Sequence, residues 1–243
     1  LRNPDATCNP YFCYAALLMA GLDAKTIRQE LHEFLADRKG NGSEGTRSNQ
    51  TRTFVVNNLM KIWVSPDPEL IPFRDASLAF LRKNPSMALA VHWGMVSVVY
   101  PFWFNVARQI GRLLALQDQL TQTQIINRLK EQYGDRQTVS RYGRFVIRSF
   151  IAWDVLKDSQ SKGCYEKTVP VSIVEPDLAI LMLEAALLAT PEAKGAMVLL
   201  QNNPAFFPFR LPMMTGDFVS LHNDRIEMVR YGLDDELLKL KGS

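Results

Sequence analysis

The feature that most constrains this chain is the run of residues 84–107, which carries no Asp, Glu, Lys or Arg and is mostly apolar. A stretch of that length and character has two destinations, a bilayer or the middle of a folded body. Asn84, His92, Gly94, Ser97, Pro101 and Asn105 interrupt it, and no second comparable stretch follows. These interruptions favour a buried core helix broken near Pro101 over a membrane helix, which stays as the minor alternative.

Around this centre the spacing of apolar residues predicts more helix. Asn9-Pro10 reads as a helix start, with 11–19 apolar and aromatic up to Gly21. Asp23 reads as the N-cap of a helix that buries Ile27, Leu31, Phe34 and Leu35 at steps of three and four. Residues 38–50, rich in Gly, Ser, Asn and Arg, read as a mobile loop. A helix over 51–64 turns Phe54, Val55, Leu59, Ile62 and Trp63 inward, and after Pro66, Pro68 and Pro72 a short helix covers 75–82. Beyond Pro101 a helix over 102–116 carries the stripe Val106, Ile110, Leu113 and Leu114.

The last third predicts helices over 177–188 and 192–201, with Asp177 as a cap of the first. Phe206, Phe207 and Phe209, between prolines, predict an anchoring loop. A hairpin pairs 218–221 with 225–230 across His222-Asn223-Asp224, and 234–240 reads as a final helix. The resulting fold class is mainly α: helical modules around a central winged helix-turn-helix, with short β-hairpins. The module boundaries are 1–83, 84–174 and 175–243.

The winged motif rests on residues 120–171. Thr121 and Gln124 form a capping-box pattern, Ile125, Ile126 and Leu129 give an apolar face, and Gly134 closes the helix. A second helix over 136–153 follows the turn, with Val139, Tyr142, Val146 and Phe150 inward and Arg136, Ser140, Arg141, Arg144 and Arg148 on its surface. Helix, short glycine-containing turn and helix make the helix-turn-helix outline. Strands over 153–157 and 165–173, joined by a polar turn over 158–163, make a wing carrying Lys157, Lys162 and Lys167. Between Arg128 and Lys167 nine Lys/Arg face five Asp/Glu, a net of +4, whereas the whole chain is only +3.

That concentration points to a polyanion. Clustered cations gain from counterion release at a phosphate backbone, and a helix fits the major groove, where arginine reads guanine edges. The residues expected to contact double-stranded DNA are therefore Arg136, Ser140, Arg141, Arg144, Arg148, Lys157, Lys162 and Lys167. The rival reading is a solvated basic face on a protein–protein adaptor, in which the winged helix and the Phe206 to Phe209 loop dock a partner. A weaker basic element, Lys25, Arg28, Arg38, Lys39, Arg47 and Arg52, is diluted to +2 across 22–64 and reads better as an ordinary surface.

Catalytic signals are missing. There is no dinucleotide or phosphate-binding glycine motif, no nucleophile elbow and no zinc-protease motif. His92 reads as a hydrogen-bonded core histidine, and Asp234-Asp235-Glu236 as a capping sequence. Asp224, Arg225, Glu227 and Arg230 read as hairpin and surface ion pairs. Cys8, Cys13 and Cys164 are an odd, unpaired set, and His32, His92 and His222 are scattered. The expectation is a cytoplasmic, non-enzymatic chain with no metal, no cofactor and no membrane partner.

The run from His92-Trp93-Gly94 to Tyr100-Pro101-Phe102, then Tyr133-Gly134-Asp135-Arg136 with Thr138-Val139, then Trp153-Asp154-Val155-Leu156, resembles the BrxA-type DNA-binding proteins of BREX phage-defence systems. The resemblance lies in the order of elements: N-terminal helices, a central winged helix, and a helical end finished by a hairpin. It implies a small DNA-binding component of a bacterial defence locus, partnered by DNA and by other proteins of a defence complex.

Overall fold

The computed structural model describes residues 21–36, 48–231 and 235–242. The expected helix over 11–19, the 38–47 part of the loop, Cys8, Cys13 and Asp234 lie outside the described residues. The chain is mainly helical, with short strands in small sheets, and divides into Leu1–Met95 and Val96–Ser243.

In the first unit, α1 (Ala24–Phe34) starts where Asp23 accepts hydrogen bonds from the backbone of Lys25 and Thr26 at 2.9 and 3.1 Å. Its Ile27 and Leu31, with Leu35 just past the end, are fully buried. Helix α2 (Asn49–Trp63) begins two residues earlier than expected, because Ser48 caps it by accepting from Thr51. Phe54 is corrected to the solvent side; Val56 and Met60 are buried instead, alongside Leu59, Ile62 and Trp63. Helix α3 (Ile71–Lys83) is longer than the predicted 75–82. Pro72 lies in its first turn, where a missing N–H removes no intrahelical bond. The charge-free run begins α4 (Ala88–Val99), and the unit boundary falls within this helix.

At Tyr100-Pro101 the helix stops and α5 (Pro101–Leu114) begins, as the proline predicts. No single helix among the described residues is long and apolar enough to cross a membrane. In the second unit, α5 buries Val106, Ile110, Leu113 and Leu114. It packs against a 3-10 turn, Pro204–Phe206, so closely that a Cβ at Gly111 would lie 1.8 Å from the Pro204 carbonyl oxygen.

Next come β1 (Gln119–Thr121), α6 (Gln122–Tyr133), α7 (Gln137–Ala152), β2 (Leu156–Asp158) and β3 (Cys164–Lys167). The strands make one antiparallel sheet in the order β1-β3-β2. The single strand predicted over 165–173 is two. After β3 and Pro170, β4 (Val171–Ser172) pairs in parallel with β6 (Phe209–Arg210) in a separate sheet. Trp153 belongs to the end of α7, and Asp154, at φ 55°, turns the chain toward β2.

Helix α8 (Pro176–Leu188) is buried almost all round. Its cap position is Glu175, not Asp177, and no side chain caps it. The predicted helix over 192–201 is only its second half, α9 (Met197–Gln201). Lys194–Ala196 instead forms β5, paired with a C-terminal strand. The hairpin is also corrected: Phe218 to Leu221 sit in a short helix, α10 (Gly216–His222). Strand β7 (Ile226–Arg230) pairs with β8 (Glu236–Leu240), the segment expected to be a last helix, giving the sheet β5-β8-β7. Leu238 and Ile226 are fully buried in it.

Candidate functional site

The basic segment is built from α6 and α7. Thr121 accepts from the Gln124 backbone N–H at 3.1 Å while the Gln124 side chain accepts from the Thr121 N–H at 2.7 Å, so the capping box is complete. Ile125, Ile126 and Leu129 are buried, and Gly134 ends the helix at φ 84°, a conformation that suits glycine. Three residues later α7 begins.

The inward face of α7 is Val139, Gly143, Ile147 and Phe150. Tyr142, expected inward, is corrected to the surface, and Ser140, expected on the surface, is buried at 8 % exposure. The cause is Gly143. A Cβ there would lie 2.7 Å from Ile126 Cδ1 and 3.0 Å from Leu129 Cδ1, so α7 meets α6 along a glycine, and the buried face centres on it. Phe150 and Trp103 hold the far end of the helix with ring centroids 5.0 Å apart, and Trp103 Nε1 donates to Ser149 Oγ at 3.3 Å.

The outward face therefore carries Thr138, Arg141, Phe145 and Arg148, with Arg144 on its flank. Arg136 occupies the N-cap position and is exposed. Arg136, Arg141 and Arg144 are exposed and form no ion pair with another described residue. Arg141 lies 5.3 Å from the centre of the Tyr142 ring, which leaves its charge in place. Arg148 differs: it donates to both carboxylate oxygens of Asp158, at 3.3 and 3.0 Å, and ties α7 to β2.

The β2–β3 hairpin lies at the end of α7. Its turn closes with Ser159 N–H donating to the Cys164 carbonyl at 2.9 Å, and Gly163 takes φ 77°. The Gly163 carbonyl accepts from the Gln122 N–H at 2.8 Å, linking the hairpin turn to the start of α6. Tyr165 is buried, its hydroxyl donates to Gln122, and burial first of all pushes its phenol up. Lys157 and Lys162 are exposed. Lys167 is exposed too, but it is paired with Asp118, just before the neighbouring strand β1. The hydrogen bond and charge of Lys167 hold the Asp118 carboxyl below its usual range.

The eight expected contact residues thus separate. Arg141, Arg144, Arg136, Lys157 and Lys162 keep their charges unpaired among the described residues, Arg148 and Lys167 are bridged, and Ser140 is internal. Strand β1 and the exposed Phe145 were missed from the sequence. β1 is three residues, Gln-Leu-Thr, with one buried side chain, too short to register as a strand pattern. Phe145 shows 59 % of its surface, between the exposed Arg144 and the half-buried Val146.

Elsewhere, Phe206 and Phe209 are buried and the Phe206 ring packs on Phe104, so the Phe206 ring anchors the loop to α5. A cleft of about 520 Å³ beside it is lined by Leu114, Lys167, Gln201, Asn203, Phe207 and Arg210, among others. Its amides are occupied by backbone: Gln201 donates to the carbonyls of Pro212 and Met214, and Asn203 accepts from Ala205. In the first unit the buried His92 accepts from Trp63 Nε1 at 3.0 Å, the role of a core histidine. Among the described residues no group of three His, Cys, Asp or Glu is placed to hold a metal. Comparison with protein-family models, with curated proteins and with solved structures gives no match.

Proposed function

We propose that the chain is a non-enzymatic DNA-binding protein that engages duplex DNA through a winged helix-turn-helix, with α6 and α7 as the helix pair, α7 as the recognition helix and β2–β3 as the wing. The element order α5-β1-α6-α7-β2-β3, with sheet order β1-β3-β2, supports the reading because it is the order in which a winged helix is assembled. The observation that carries it is the exposure of Arg141 and Arg144 on the outer side of α7 without carboxylate partners among the described residues. Lys157 and Lys162 on the hairpin are exposed as well. Cations left unpaired in water gain most from a polyanion. On the BrxA-type resemblance, the wider role is a component of a bacterial phage-defence system.

The test is binding of the full chain to duplex DNA across a salt series. The expected result is affinity that falls steeply with salt, with Arg141→Ala and Arg144→Ala each reducing the log–log slope by about 0.9. A folded chain with no duplex affinity at low salt overturns the reading and favours the adaptor. The adaptor reading would have the loop of Phe206, buried itself, dock a partner through its less buried Phe207.

A further inference from the structure

Phe145 stands on the outer face of α7, one turn after Arg141 and one turn before Arg148, with Arg144 beside it. Its ring is 59 % exposed and meets Tyr142 edge-on, with centroids 6.1 Å apart. Contact with a ring that is itself 40 % exposed leaves Phe145 uncovered. A single surface phenylalanine is ordinary. One set among arginines at the centre of a helix's outward face limits what can cover it.

An apolar protein surface would have to desolvate three guanidinium groups to reach the ring, and a basic one would be repelled. The occupant has to be anionic at the rim and to offer small apolar groups at its centre. The DNA major groove has that layout: phosphates along both edges, and the 5-methyl group of thymine as the apolar feature on its floor. Resting on the DNA-binding reading above, we propose that Phe145 is a specificity-determining residue that packs on thymine 5-methyl groups in the major groove, so that the preferred site carries thymine beside the positions contacted by Arg141 and Arg144. The arginines supply attraction common to every sequence, and Phe145 supplies a preference among sequences.

The experiment selects duplexes from a random library with the full chain and with Phe145→Ala, then replaces thymine by uracil in the selected site. The wild-type chain is expected to enrich thymine and to lose about fourfold in affinity for each contacted methyl group removed. Phe145→Ala is expected to lose the enrichment and to bind thymine and uracil duplexes equally, with an unchanged salt slope. Equal binding of both duplexes by the wild-type chain overturns the inference, as does a uracil penalty that persists in Phe145→Ala. Those outcomes leave the DNA-binding reading standing, whereas loss of all salt-dependent duplex affinity removes that reading first. Because Phe145 is exposed, its truncation leaves the core of α6 and α7 unaltered, and an unchanged thermal transition checks this.

Discussion

Single residues set the pH response of the first unit. His92 is buried, and burial takes its ring from the ordinary value of about 6.5 down to about 3. It is neutral in the folded chain, with Nδ1 accepting from Trp63 and the ring proton therefore on Nε2. The unfolded chain takes up a proton below about 6.5, so this group's stabilisation is complete above that pH and is lost as pH falls toward 3. Between pH 6 and 5 the expected loss approaches 1.4 kcal/mol per pH unit. Denaturant titrations followed by tryptophan emission should show that slope, and His92→Gln should flatten it. The same scale explains where the sequence misled. In α7 the eye takes Tyr142 as an inward aromatic, but the position that faces α6 is Gly143, which has no side chain to signal burial. Ser140 and Tyr142 exchange surfaces as a consequence.

Elements carry the next layer of predictions. Helix α8 is buried around its whole circumference, and Glu184 within it is 1 % exposed. Its carboxylate accepts from Arg225 Nε and Nη2 at 2.6 and 2.7 Å and from Asn223 Nδ2 at 2.7 Å, so it fastens α8 to the start of β7. That hydrogen bond chiefly raises the Arg225 guanidinium further. Glu184→Ala leaves a buried amide and a half-buried guanidinium without their acceptor, and the expected cost is about 3 kcal/mol, the low end for a broken buried pair because Arg225 reaches water. Urea unfolding measures it. Gly111→Ala places a methyl group against the Pro204 carbonyl, a backbone atom with no side-chain freedom to yield. The expected loss is about 3 kcal/mol or more, read as a lowered thermal midpoint.

Legibility follows the same physics. Helix α6 was readable because capping box, apolar spacing and a terminating glycine coincide; α1 showed its cap and spacing, and α5 its proline start and spacing. β7 was readable as a strand, though with the wrong partner, whereas β5 was not, since its pairing with β8 joins segments far apart in sequence. Lys194–Ala196 and Glu236–Leu240 become strands by finding each other, and neither shows it alone.

At the scale of the whole molecule, charge is the organising quantity. Residues 128–167 hold a net of +4 in a chain of +3, so the remainder is slightly acidic. A polyanion attracted to that segment meets the densest set of Lys and Arg in the sequence, nine within forty residues. The expected outcome is that Lys241→Ala, an exposed change outside the segment, leaves the salt dependence of duplex binding unaltered, while Lys162→Ala on the hairpin turn lowers it. A salt series on the two variants compares them directly.

The pairing of β1 with β3 has a mechanical corollary. Gln119 stands opposite Glu166 and Leu120 opposite Tyr165, so the chain enters and leaves the helix pair at one place, side by side. The segment between is a closed ring of polypeptide, hung on its neighbours by adjacent threads. Because β1 and β3 run antiparallel, the two threads meet at the same end of the pair, and force that draws them apart opens its hydrogen bonds one after another, from Gln119 and Glu166 inward.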